Sequence, residues 1–132
     1  MIIRLWHGRT AKERFEEYTQ FMKERAAPDY ASVSGNLGCY FLRRLDDDAA
    51  HFLLITLWES MDAIKEFAGP DPEVAKYYPE DEDLLLEKEP NSQLYEVFHK
   101  SVGHRLILRV MKLYRHFSTG RKEEPGSEGS GY

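Results

Sequence analysis

The run Phe52–Trp58, Phe-Leu-Leu-Ile-Thr-Leu-Trp, constrains this chain most. It is far too short to span a bilayer, which takes about 20 apolar residues in a helix. It reads as a strand over 51–58. Apolar residues fall on both of its faces, so the strand is either central in a sheet or covered twice. Asp46-Asp47-Asp48 just before it is a polar hairpin turn, without the glycine that a short type I′ loop needs. Residues 37–44 form the strand on the other side of that turn.

The remaining elements fall around this hairpin. Residues 2–9 alternate as a strand, with Ile3, Leu5 and His7 on one face and Ile2, Arg4 and Trp6 on the other. The first face is expected to look toward the helices. Thr10 and Glu13 have the spacing of a capping box. Phe15, Tyr18, Met22 and Ala26 follow as a buried helical stripe, and Pro28 is expected to end that helix. Ser34-Gly35-Asn36 has turn chemistry. Ser60 caps a second helix carrying Ile64, Phe67 and Ala68, which Gly69-Pro70 stops. Pro72 predicts a short helix holding Val74, Tyr77 and Tyr78. Glu80–Leu86 add one helical turn, and residues 92–99 form a fourth strand. The order β-α-β-β-α-β is the split βαβ plan: an α+β, ferredoxin-like sandwich with a four-stranded antiparallel sheet. Helices on one face leave the other face apolar, and a homodimer with the two sheets facing each other is the simplest way to cover it.

Composition narrows the class. Hydrophobic residues make up 42% of 132, ordinary for one folded domain. The net charge of -5 is uneven. Residues 1–103, the domain proper, carry 12 Lys/Arg against 20 Asp/Glu, whereas 104–118 carry four basic residues and no acid. An acidic body disfavours nucleic-acid phosphates. The 104–118 segment places Leu106, Val110, Leu113, Tyr114 and Phe117 on one side of a helix, with Arg109 and Lys112 opposite. Its readings are docking on the acidic body, an anionic membrane or partner surface, or fraying. Residues 119–132 read as a flexible tail. No signal peptide is visible, and a single cysteine, Cys39, forms no internal disulfide and builds no zinc site, so a cytoplasmic protein is expected.

Gly35-Asn36-Leu37-Gly38 entering the second strand and Leu57-Trp58-Glu59-Ser60-Met61-Asp62-Ala63-Ile64 leaving the third resemble the antibiotic biosynthesis monooxygenase (ABM) domain family of dimeric α/β barrels. Phe67-Ala68-Gly69 and Tyr77-Tyr78-Pro79-Glu80-Asp81 are similar to a bacterial subgroup of unassigned function. The resemblance covers residues 1–99. It implies the dimeric barrel and one of three activities: cofactor-independent oxidation of phenolic or quinol-type compounds, haem binding and degradation, or none. Haem-degrading members carry an Asn late in strand one and a Trp and a His in the second helical region. The corresponding places here hold His7, Phe67 and Tyr77, and residues 60–80 contain no histidine, a departure that speaks against haem.

In a monooxygenase, His7 would deprotonate a phenol and leave an anion that reacts with oxygen directly. Tyr77 would orient the substrate beside it, and Trp58, Phe67 and Tyr78 would wall the pocket. Arg4 and Arg43, charges within strands, either snorkel at a rim or pair with an acid across the dimer, and binding a substrate anion is the functional alternative. Each has a packing role as its alternative, and the competing function is a non-catalytic ligand-binding or dimerisation module. Glu80-Asp81-Glu82-Asp83 lacks the spacing and glycine of a calcium loop, so no metal is expected. The chain has no phosphate loop, nucleophile elbow or dinucleotide fingerprint. Without a resident cofactor, redox chemistry uses the substrate's own electrons or a borrowed cofactor. The expected partner besides a second copy is a small aromatic molecule.

Overall fold

The computed structural model of the protein describes residues 1–120. The apolar run becomes β3 (Ala50–Trp58), paired on one edge with β2 (Asn36–Leu45) and on the other with β1 (Ile2–Thr10); β4 (Gln93–Glu96) lies on the far edge of β1. The sheet is antiparallel in the order β2-β3-β1-β4, with helices in both crossovers, so the α+β ferredoxin-like plan holds. β4 is shorter than the sequence predicts. Its last partner on β1 is Ile2, and only the Val97 amide reaches further, donating to the Met1 carbonyl at 3.1 Å.

Phe52, Leu54, Thr56 and Trp58 point into the layer beneath the helices, and His51, Leu53, Ile55 and Leu57 stay partly exposed on the opposite face. On β1 the buried set is Arg4, Trp6, Gly8 and Thr10. This reverses the expectation for that strand: Ile3, Leu5 and His7 lie on the open face. Arg4 decides the matter. Its guanidinium lies in the interior, donating to the carbonyls of Pro72 at 3.3 Å and Val74 at 2.9 Å, with its centre 5.8 Å from the Phe67 ring. Burial lowers its pKa from the ordinary arginine value.

The first crossover begins with a 3₁₀ turn at Lys12–Arg14, followed by α1 (Phe15–Phe21), a π-type turn at Met22–Ala26 and α2 (Ala27–Ala31). The capping box does not form, because the Thr10 hydroxyl donates to the Ala11 carbonyl instead. Pro28 does not end the helix. It sits in the first turn of α2, where its missing amide is tolerated, and the wider π turn just before it absorbs the break in the ladder. Tyr18, Met22, Ala26 and Tyr30 are buried as one stripe.

α3 (Met61–Ala68) starts as predicted, with the Ser60 hydroxyl accepting from the Ala63 amide at 3.2 Å. The helix predicted at Pro72 does not form. Arg4 takes the Pro72 and Val74 carbonyls that a helix would use, and Val74 bridges Asn91 instead. α4 (Asp81–Leu84) follows.

The glycines of the Gly-Asn-Leu-Gly segment have two separate causes. A Cβ on Gly35 would lie 2.3 Å from the Ala63 Cβ, so α3 packs directly on this backbone. Gly38 follows an irregularity in the β2–β3 register and has φ of +145°, a conformation that side chains resist. By itself, α5 (His104–Gly120) is one helix whose Leu106, Leu108, Val110, Met111, Leu113 and Tyr114 are exposed. The tail read over 119–132 lies, beyond Gly120, outside the described residues. Among the described residues no helix is long and apolar enough to cross a membrane.

Candidate functional site

The layer between sheet and helices is filled by aromatic rings. Trp58 is fully buried and donates its indole N–H to Thr56 Oγ1 at 2.8 Å; Tyr30 stacks on Phe67 at 4.1 Å, and Trp58 lies 5.5 Å from Phe67. Trp58 and Phe67 are therefore packed core, and neither lines the clefts described below. One cleft on this side has a volume of about 160 Å³ and is lined by Thr19, Met22, Phe41, Arg43, Phe52 and Leu54 among others. That is below the roughly 300 Å³ typical of a small-molecule site. Arg43 lies at its mouth, pairing with Glu16 at 3.0 Å and covering the Phe15 ring at 4.1 Å. No anion is needed to satisfy it.

The tyrosines are likewise engaged. Tyr78 donates to Asp29 Oδ2 at 2.7 Å, and Lys76 reaches the same oxygen at 2.7 Å. Burial alone would raise the Asp29 pKa, but these two donors outweigh it and hold the carboxyl below its ordinary value. Tyr77 donates to the Glu89 carbonyl and packs edge-on against Trp6 at 6.1 Å. Burial pushes the Tyr77 and Tyr78 phenols up. A haem placed here would find no imidazole on residues 60–80 and a cleft of only about 160 Å³. Among the described residues, the lining of this cleft offers that group no histidine.

His7 stands on the other side of the sheet. It does not converge with Tyr77; the two meet only through Glu89, whose backbone carbonyl faces Tyr77 while its carboxylate accepts from His7 Nδ1 at 2.5 Å. Beside His7 lies a residue the sequence reading missed. His51 Nδ1 is 3.1 Å from His7 Nε2, and His51 Nε2 is 2.6 Å from Asp46 Oδ2. The signal was available in the pairing register: Arg9 opposes His51 and His7 opposes Leu53, so the two histidines are diagonal neighbours on one face. They line a pocket of about 320 Å³ with Leu42, Arg43, Arg44 and Leu53, so the structure brings Arg43 to the same pocket as His7. Arg9 pairs with Glu87 at 2.6 Å at the same end of the sheet and holds that carboxyl below its usual range. On β1 and β3 the rest of the open face beyond these groups is apolar: Ile3, Leu5, Ile55 and Leu57. Among the described residues no group of three or more His, Cys, Asp or Glu is placed to hold a metal.

The family model for antibiotic biosynthesis monooxygenase matches residues 1–77. The chain belongs to that family. The ABM fold is seen again in a solved structure, a MhuD mutant with two manganese protoporphyrin IX bound per active site. It is 17% identical, with a TM-score of 0.52 over 78% of this chain and 100% of that one. A likeness at that identity establishes the fold alone. No curated protein matches the chain. Within the ABM body, the matched span takes in all of β1, β2, β3 and α3, and so includes both His7 and His51.

Proposed function

We propose that the protein is a cytoplasmic homodimer, joined through the open face of its sheet, that oxidises a small phenol or quinol without a bound cofactor. The observation that carries this reading is the 2.5 Å contact between His7 Nδ1 and Glu89 at a pocket of about 320 Å³ walled by Leu42 and Leu53. A carboxylate on one imidazole nitrogen fixes the ring and its tautomer, and imidazole is the side chain suited to proton transfer near neutral pH. The Leu42 and Leu53 walls favour an aromatic ring. The anion that forms gives its own electrons to oxygen.

The test is oxygen uptake by the purified protein with simple hydroquinones, read against the autoxidation blank. Uptake above the blank is expected, falling by about 10²-fold or more in His7→Ala. Tyr77→Phe, which removes only a bond to the Glu89 backbone carbonyl, should lower the rate much less than His7→Ala. No uptake beyond the blank, or uptake indifferent to His7→Ala, overturns the assignment. A second reading, the non-catalytic binding or dimerisation module, is favoured by the filled layer beneath the helices. A dimer without uptake selects it.

A further inference from the structure

Two imidazoles meet end to end on the open face. Their ring centroids are 5.4 Å apart and their planes inclined by 28°, while His7 Nε2 and His51 Nδ1 are 3.1 Å apart. The centroid separation is close to the nitrogen separation plus the two ring radii, so the nitrogens point at one another and the rings do not lie face to face. The outer nitrogens are both taken by carboxylates, Glu89 at 2.5 Å and Asp46 at 2.6 Å. Glu89, His7, His51 and Asp46 thus form one line of four groups with three links.

Each link needs one proton. Ionised carboxylates bring none, and two neutral imidazoles bring one each. Those two protons serve the outer links, because carboxylates only accept. The central link is then left with two lone pairs facing each other. One added proton turns it into an N–H···N hydrogen bond, and a further one has no link to occupy. The head-on approach also favours a proton over a metal ion, since imidazole ligands of a tetrahedral metal converge on it at an angle.

The surroundings suit a line that holds one extra proton. Asp46, in the β2–β3 turn, accepts from the Ala49 and Asp48 amides at 2.8 Å each, and these hold its carboxyl well below the usual range. Arg44 on β2 reaches Asp46 at 3.5 Å. Arg9 on β1 is neutralised by Glu87. Asp48 in the turn is the remaining charge near Arg9.

We propose that Glu89, His7, His51 and Asp46 work as a single proton relay that takes up one proton between the two imidazoles, with His51 as the positioning residue for His7. The part played in turnover rests on the reading of His7 as the base. In that step the substrate O–H bond breaks, an N–H bond forms in the central link, and the electron pair stays on the phenolate oxygen. No co-reactant is needed to load the relay.

The experiment is a pH titration of the full chain labelled with ¹⁵N-histidine, followed by long-range ¹H–¹⁵N correlation. His7 and His51 should shift together in a first step worth one proton, with the second proton bound at least about tenfold more weakly. In His51→Leu, His7 should titrate in one step and bind its proton about tenfold less tightly, one pKa unit. Asp46→Asn, which keeps the turn acceptor, should weaken the shared step in the same direction and decides the matter if His51→Leu does not fold. Independent single-step titrations of the two histidines, or a His7 curve unmoved by both variants, overturn the relay. Coupled titration without oxygen uptake keeps the relay and removes the monooxygenase reading; uptake with independent titrations removes the relay alone.

Discussion

Tyr18→Phe isolates one buried hydrogen bond that ties the first crossover to the second. Tyr18 is fully buried and donates to Asp81 Oδ1 at 2.8 Å; the other carboxylate oxygen accepts from the Tyr78 amide at 2.8 Å. Asp81 is 1% exposed, and burial raises its pKa against the two donors that favour the charged form. Removing the hydroxyl keeps the ring contacts with Phe52 and Phe21 and leaves one buried carboxylate oxygen without a partner. A hydrogen bond to a charged acceptor contributes about 1.5–3 kcal/mol, so the variant should lose about 2 kcal/mol. Urea unfolding followed by the fluorescence of Trp6 and Trp58, both buried, reads this as a lower midpoint at unchanged slope. Thermal unfolding should show a fall of about 10 °C. The pH dependence has a definite sign. A carboxyl whose folded pKa is raised binds protons more tightly when folded, so its contribution grows as pH falls through the folded value and is lost as pH rises. Without its donor, the Tyr18→Phe carboxyl is raised further, so the deficit should shrink as pH falls from neutral through the folded value. A loss under about 0.5 kcal/mol, or a deficit that grows on acidification, would refute the idea that this bond holds the two crossovers together.

Gly35→Ala places a Cβ 2.3 Å from that of Ala63 and should destabilise by about 1–3 kcal/mol in the same urea assay. Ile55→Lys puts a charge in the middle of the open apolar face and should bring the mass in light scattering from about twice 15.5 kDa to 15.5 kDa with the fold retained by circular dichroism. The Asp46 carboxyl is held low, so its stabilising effect is present above the unfolded value of 3.8 and fades as pH falls below it. Asp46→Asn keeps the turn acceptor and should flatten that acid limb of the stability curve.

The strands and the Ser60 cap were legible because each rests on local alternation or one hydrogen bond. The facing of β1 was not. Its two sets, Ile3/Leu5/His7 and Ile2/Arg4/Trp6, are nearly equal in apolar content, and an arginine ordinarily marks the outer face. Here two carbonyls from a segment about 70 residues away draw Arg4 inward, an interaction no local pattern encodes. The same contact cancels the helix that Pro72 predicts. The reversal moves His7 away from Tyr77, Trp58 and Phe67 and beside His51. Gly35 and Gly38 were legible as part of a family signature, but their reasons, a helix seated on the backbone and a left-handed φ, appear only in three dimensions.

On the proposed reading, the working surface is the open face of the sheet and not the layer beneath the helices. Amide and methyl chemical-shift mapping during a hydroquinone titration tests this most directly. Perturbations should gather at His7, His51, Leu42 and Leu53; a set centred on Met22, Phe41 and Phe67 would put the ligand beneath the helices and overturn the proposal.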